Sequence, residues 1–376
     1  MTCRFHRHNP SVGSFPVPFD PRIPYDALPL LPPAAEVETR AVLKQCLAAS
    51  RALAELKGAG GLIPDQAILI NAIPLQEAKL SSEIENIVTT QDELFRAALD
   101  EDAASDPAIK EVLRYRGALR HGYEALATRP LSMELVRETC TVLRGEPVDF
   151  RTVTQPVAIG NPATRRVIYT PPAGGPALVD KLRNLEAFLL NAEGPDPLVR
   201  MAVAHYQFEA IHPFTDGNGR TGRMLNILYL MHAGLLRTPV LYLSRFIIQN
   251  KPDYYRLLRE VTETGAWEPW LLYMLRGIEE TALWTTGRIE AIRALLDRTI
   301  ERCREEIPKA YSKELVELIF RQPYCKISFL TDAGIAKRQT ASQYLQELER
   351  IGVLVGEKRG RETIYKHPAL LDVLAS

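Results

Sequence analysis

His212-Pro213-Phe214-Thr215-Asp216-Gly217-Asn218-Gly219-Arg220-Thr221-Gly222-Arg223 is the stretch from which the rest of the chain can be read. Just ahead of it, Leu198 to Ile211 is apolar almost all round, which predicts a buried helix. Pro213 disfavours the α region at His212, so that helix should end there and present the imidazole at a rigid terminus. Gly217-Asn218-Gly219 can take the positive φ values that turn successive backbone N–H groups toward one point, an anion nest. A helix starting immediately afterwards adds its unpaired N–H groups and positive dipole end. Arg220 and Arg223, three apart, share one face of that helix. Two cations there oppose the dipole, an arrangement that calls for a multiply charged anion such as a polyphosphate.

The same residues supply the remaining chemistry. Asp216 offers one hard oxygen ligand beside the nest, and magnesium typically takes one or two carboxylates plus substrate phosphates and waters. An imidazole at His212, with a pKa near neutrality, can take the proton of an attacking hydroxyl. Catalysis would then be positioning and charge stabilisation. The absence of GK[ST] excludes a Walker A loop. His205 and His212 are seven apart without HExxH, which argues against zinc. A bare HPF or GNG would be an ordinary loop; a stretch that provides base, metal ligand, nest and two clamps together is a site.

Outward from this stretch the chain is helical. Helices are expected from Glu36 to a break at Gly58–Gly61, at 64–73 and 74–88 (each opened by a proline, Pro64 and Pro74), and at 107–126 and 131–144. Others follow at 177–192, 198–211, 220–234, 252–264 and from Trp267 to Ile307. Between them, Arg151 to Tyr169 is β-prone, with Gly160-Asn161-Pro162 marking a hairpin. Residues 1–33 are too rich in proline for helix and read as an extended arm that wraps its own body or docks on a partner. In the tail, Ser312–Arg321, a short helix near Thr331, Arg338–Ile351 and a strand-turn-strand over Val353–Tyr365 give the layout of a winged helix. The 376 residues suit two or three domains, and 46% hydrophobic with 24% charged residues is a globular balance. Lys+Arg and Asp+Glu are both 46, so there is no global pull toward nucleic acid or membrane. Five scattered cysteines form neither a disulfide framework nor a CxxC site. No apolar run is long enough to span a bilayer, and no signal-peptide core is present, so the expectation is a cytoplasmic protein.

His212–Arg223 resembles, position for position, the HPFx[DE]GNGRxxR signature of Fic domains, and the resemblance extends over roughly Gln76 to Ala282. It implies a mainly α fold: a Fic helical core with a β-hairpin flap, plus a small C-terminal winged-helix domain. The organisation it suggests is an arm over 1–35, an N-terminal helical region over 36–145 with an inhibitory helix at 74–88, a catalytic core over 146–285, and a linker helix with winged-helix-like domain over 286–376. The implied activity is transfer of AMP from Mg2+-bound ATP to a Ser, Thr or Tyr hydroxyl of a target protein or of the chain itself. His212 would be the base, Asp216 the metal ligand, and Phe214, Gly217, Asn218, Gly219, Arg220, Thr221, Gly222 and Arg223 the ATP-binding loop. Arg223 would meet the β/γ-phosphates, and Phe214 would anchor the loop, a role its apolar bulk also suggests. Tyr254 and Tyr255 fall on the implied adenine side, although by residue type they serve a core equally well. The flap at 157–169, with Val157, Ala158, Ile159, Gly160, Val167 and Ile168, would pair its strand edge with the target.

Ser81-Ser82-Glu83-Ile84-Glu85-Asn86 resembles the family's inhibitory motif [ST]xxxE[GN]. Ser81 and Glu85 share a helix face, and the Glu85 carboxylate could pair bidentately with Arg223 in the place of the γ-phosphate. Taken alone, Ser82-x-x-Glu85 serves a capping box equally well; beside the signature, the lock is the favoured reading. Lys337, Arg338, Lys358, Arg359 and Arg361 make a local basic patch on the tail, open to DNA, to protein docking or to a homodimer. Two other functions stand beside AMP transfer: a DNA-binding regulator whose core senses nucleotide, and transfer of phosphate, UMP or phosphocholine. The complete GNGRTGR favours AMP, since relatives that use kinase-like or choline-nucleotide chemistry depart from the signature there.

Overall fold

The computed structural model describes residues 19–61, 63–99, 106–161, 164, 166–359 and 362–375; the expected arm therefore lies partly, over 1–18, outside the described residues. The helices in chain order are α1 (Arg40–Gly60), α2 (Gln66–Ile84), α3 (Gln91–Ala97), α4 (Pro107–Leu126) and α5 (Met133–Arg144). A hairpin of β1 (Ile159–Asn161) and β2 (Arg166–Tyr169) follows, then α6 (Pro176–Leu190), α7 (Pro197–Ile211), α8 (Asn218–His232), α9 (Leu243–Gln249), α10 (Lys251–Thr264) and α11 (Trp267–Glu306). Many starts follow capping chemistry legible in the sequence. Asp106 and Asp196 accept N–H bonds from the first turns of α4 and α7, each with proline at its first position. Ser132 caps α5, whose end is closed by Gly145 at φ 69°.

α2 departs from expectation. Pro64 precedes it, but Pro74 sits inside a single continuous helix rather than opening a second one. An interior proline costs about 3 kcal/mol. Burial outweighs it: Ile68, Leu69, Ile73 and Leu75 are all essentially inaccessible, and each large apolar side chain contributes roughly 1.5–3 kcal/mol. The segment also ends at Ile84 rather than continuing to 88, so Glu85 lies just past the last turn. Ser82 is in that last turn, which removes the capping-box reading, since a capping box opens a helix. α3 and α9, seven residues each, were not expected.

α7 and α8 form the centre of the molecule. Nearly every residue of α7 is buried, as its all-round apolarity implied. α11 is one helix of 40 residues that runs across the expected domain boundary at 285. Beyond it come α12 (Lys313–Phe320), β3 (Tyr324–Cys325), α13 (Ile327–Asp332), α14 (Arg338–Arg350), β4 (Val355–Arg359), β5 (Glu362–Lys366) and α15 (Pro368–Ala375). The order β3-β5-β4, antiparallel throughout, adds to the expected strand-turn-strand a third short strand that sequence reading missed. This unit is bonded to the start of α2 and to α3: Arg321 pairs with Asp65, the α2 N-cap, at 2.7 Å, and Lys366 and Glu357 pair with Asp92 and Arg96 of α3 at 3.3 and 3.0 Å. Lys337, Arg338 and Lys358 are exposed, while Arg361 lies outside the described residues. Cys46, Cys140, Cys303 and Cys325 are buried free thiols. Among the described residues no helix is long and apolar enough to cross a membrane.

Candidate active site

His212 closes α7 in the left-handed region, at φ 50° and ψ 61°. Pro213 explains why the helix stops, and the surroundings explain how the strained backbone is held. Arg151, 2% exposed, donates from Nε to His212 O at 2.8 Å and from Nη2 to Ile211 O at 3.2 Å and Pro172 O at 3.0 Å. Its backbone N–H adds a bond to Pro213 O at 2.9 Å. Burial, and then the nearby Arg151 cation, push the His212 pKa down to about 4. The expectation of a near-neutral pKa is thus corrected downward, and the imidazole is unprotonated at pH 7. The backbone of Glu209, one turn back on α7, acts on the imidazole in the opposite direction and offsets part of the shift.

The loop that follows is stapled rather than merely flexible. Asn218 Oδ1 accepts from Phe214 N and its Nδ2 donates to Phe214 O, both at 2.8 Å. The Asn218 side chain is therefore engaged by the loop, leaving only its backbone N–H for an anion. Phe214, fully buried, stacks on Phe150 at 5.6 Å and anchors the turn, as its bulk suggested. Gly217, at φ 82°, is the N-cap of α8, a conformation closed to most side chains. The first-turn amides of Asn218, Gly219 and Arg220 have no acceptor within the helix. Thr221 and Gly222 do not face this opening: Thr221 is buried, and a Cβ on Gly222 would stand 2.4 Å from Glu209 Oε1. They pack α8 against its neighbours. Asp216, 56% exposed, accepts from Gly217 N–H at 2.6 Å and is ion-paired with Arg144.

Glu85 meets this loop from the end of α2. Its Oε1 lies 3.0 Å from Arg223 Nη2 and its Oε2 lies 2.7 Å from Arg220 Nε. The expected bidentate pair with Arg223 is instead a bridge across both arginines, with the carboxylate standing in for the anion that the crowded cations called for. Arg220 also pairs with Glu111 at 2.6 Å. Arg223 donates further to Ser81 Oγ at 2.7 Å and Ser81 O at 2.9 Å. A Cβ on Gly219 would lie 2.8 Å from Glu85 Oε1, so the missing side chain makes room for the carboxylate. Asn86 has a structural reason to be there. Its φ is 67°, Asn86 N–H bonds to Glu83 O and Ile87 N–H bonds to Ser82 O, which is a Schellman closure. Asparagine tolerates the left-handed region better than most residues, and the closure fixes where Glu85 points. Asn86 and His212 are the two non-glycine residues of positive φ among those described, and both are at the site.

Beside Glu85 lies a cleft of about 640 Å³ between the α2 end, the hairpin and helices α7 and α10. Ile159, Gly160, Ile168 and Tyr255 line it. Val157 and Ala158 precede the hairpin, whose strands are shorter than 157–169, and Val167 pairs with Gly160. The tyrosine pair splits. Tyr255 is 50% exposed on the cleft, whereas Tyr254 is 2% exposed and meets His205 Nε2 through its hydroxyl at 2.8 Å. Tyr254 is a core residue, correcting its place on the adenine side. His205 stacks on Trp270, and burial lowers its pKa to about 3. Sequence reading missed Arg151, Arg144, Glu111 and Glu209, which lie outside any local motif. Glu209, against Arg223 and Glu85, is raised to about 7 by burial.

Three family models match in order along the chain: Fic/DOC family N-terminal over residues 43–124, Fic/DOC family over 131–230, and the C-terminal domain of SoFic-like protein adenylyltransferases over 295–370. Protein adenylyltransferase Fic of Nematostella vectensis is 37% identical over 116 residues, 30% of this chain and 25% of that protein. Protein adenylyltransferase fic-1 of Caenorhabditis elegans is 38% identical over 84 residues, 22% of this chain and 15% of that protein. The matched stretches thus span a quarter or less of these relatives' length. A Fic family protein from Desulfovibrio desulfuricans G20 shares the fold with a TM-score of 0.56 at 20% identity, over 90% of this chain and 98% of that one. Residues 134–508 of Fic-1 from C. elegans give 0.50 at 22% identity, over 66% and 74%. With these models in sequence and this helical fold, the chain belongs to the Fic/DOC family.

Proposed function

We propose that the protein transfers AMP from ATP to a hydroxyl of a Ser, Thr or Tyr side chain, on a target protein or on itself, and that Glu85 holds it inactive. The observation that carries this reading is one carboxylate bridging Arg220 and Arg223 at the mouth of a helix N-terminus, with an unprotonated histidine at the end of the preceding helix. The bridge occupies a place built for phosphates.

In the reaction, His212 takes the proton of the target hydroxyl as that oxygen attacks the α-phosphorus. The bond from the α-phosphorus to the bridging oxygen breaks, and pyrophosphate leaves with the electron pair. The nest amides and the arginines hold the phosphate charge before and during the step. The target segment lies along the outer edge of β1, whose ladder partner among the described residues is β2 alone.

Magnesium fits this arrangement as a one-carboxylate ligand set. Among the described residues no group of three or more His, Cys, Asp or Glu side chains converges on a point, and Asp216 presents a half-exposed carboxylate beside the nest. Asp216 would hold the ion once Arg144 moves aside, and the bound ion would neutralise phosphate charge. Asp216→Ala is expected to weaken Mg2+-dependent ATP binding and transfer together, by about tenfold or more. Equal ATP affinity with and without chelator in the parent protein would remove the metal role.

The deciding experiment is the intact mass of the chain and of lysate proteins after incubation with Mg2+ and each nucleoside triphosphate in turn. A gain of one AMP with ATP supports the reading. A gain of phosphate, of UMP, or of nothing in the Glu85→Gly variant overturns it.

A further inference from the structure

Most of the cleft beside Glu85 is walled by the core of the site: the α2 end, the hairpin and helices α7 and α10. One part of the wall comes from elsewhere. Phe19, far ahead of α1 in sequence, lines the same cleft. Its ring lies 5.9 Å from that of Tyr169 with the planes 21° apart, and meets Tyr25 edge-on at 5.4 Å. Tyr169 is fixed in turn, its hydroxyl donating to Ala210 O at 2.8 Å.

The segment that delivers Phe19 is attached along its length. Tyr25 N–H donates to Thr170 O at 3.0 Å, and Thr170 Oγ1 donates to Pro21 O at 2.7 Å, just past β2. Ala173 N–H donates to Asp26 Oδ1, and Gln207 Nε2 of α7 donates to Pro29 O, both at 2.8 Å. Leu28 and Leu31 are buried. These bonds tie residues 19–31 to the base of the hairpin and to the helix that ends at His212. The Phe19 ring packs on Tyr25 and Tyr169 and also contributes surface to the cleft.

We propose that residues 19–31 are part of the nucleotide site, with Phe19 as an aromatic wall against which the nucleobase packs. This rests on the AMP-transfer reading. A nucleotide whose phosphates replace the Glu85 carboxylate at Arg220 and Arg223 must place its base and sugar in adjoining space, and the cleft adjoins Glu85 directly. Its other walls include Ile84, Tyr206, Tyr255 and Leu258, apolar and aromatic surfaces suited to a flat base, with Lys251 and Arg259 of α10 as the polar part of the lining. Phe19 is a binding residue: it touches the nucleoside and takes no part in proton transfer.

The test uses the full chain carrying Glu85→Gly and measures direct binding of ATP and of inorganic tripolyphosphate by calorimetry. Phe19→Ala is expected to raise the ATP dissociation constant about tenfold, the range of one lost base–aromatic contact. Tripolyphosphate binding should not change, and Phe19→Tyr should restore ATP affinity. ATP affinity unaltered by Phe19→Ala overturns the proposal, as does an equal loss for both ligands, which would make the ring a support for the fold. An unaltered ATP affinity with a higher KM for a protein target would assign the wall to the target instead. A parent protein that binds no ATP overturns the AMP-transfer reading and this inference with it.

Discussion

Replacing His212 with alanine is expected to lower AMP transfer about 10²- to 10⁴-fold, the range for loss of a general base, while ATP binding stays close to that of the parent. The separation follows from geometry. The first-turn amides and the two arginines lie downstream of His212, on α8, and the loop conformation is set by Arg151, Asn218 and Phe214 rather than by the imidazole. The pH profile supplies a second signature. A base works unprotonated, so the rate falls as pH drops through its pKa. With that pKa pushed from 6.5 to about 4 by burial and by Arg151, transfer should stay flat from pH 8 to about 6 and fall only on further acidification. Rates measured with Glu85→Gly as the parent, with ATP binding measured in parallel, check both. Transfer that survives His212→Ala would take the histidine out of the chemistry.

The centre of the site was legible because its determinants are local. Pro213 ending a helix at His212, glycine supplying positive φ at Gly217, and two arginines facing a helix N-terminus are each properties of a few adjacent residues. What was not legible depends on partners far along the chain. Arg151, whose side chain ties the His212 turn in place, is 61 residues away from it and carries no motif. Pro74 reads as a helix start, yet tertiary burial carries α2 through it, and no local pattern reports that burial. Asn218 reads as a phosphate contact because it stands between two glycines at a helix N-terminus; its side chain is instead committed to Phe214. Tyr254 and Tyr255 show the limit most simply, since adjacent helical residues point in different directions and sequence alone does not say which one meets the cleft.

Glu85→Gly is expected to raise automodification tenfold or more, a change that each ~1.4 kcal/mol of barrier produces. The substitution removes the carboxylate that bridges Arg220 and Arg223 and leaves both free for phosphates. Its helix cost is small. Glu85 is the residue after α2, at φ −92° and ψ 14°, so the ~1 kcal/mol penalty of an interior glycine does not apply in full. The larger cost is electrostatic. Arg223 is buried and its pKa is raised above the usual value against the desolvation that opposes it, first by Glu85. Removing Glu85 leaves that cation with Ser81 as its hydrogen-bond partner among the described residues. Because the carboxylate is a quarter exposed, the loss should be below the ~3–5 kcal/mol of a fully buried pair. The variant should therefore melt earlier than the parent without ligand and gain more from Mg2+ and ATP, since a ligand that binds only the folded state stabilises it. Arg223→Ala provides the control, weak in transfer with or without Glu85, because the phosphate clamp is absent in both. Labelled-ATP incorporation by the two single variants and the double variant, with melting curves alongside, reads all of this. If incorporation by Glu85→Gly is unchanged or lower while its circular dichroism matches the parent, Glu85 is a structural counter-ion to two arginines and the lock does not exist.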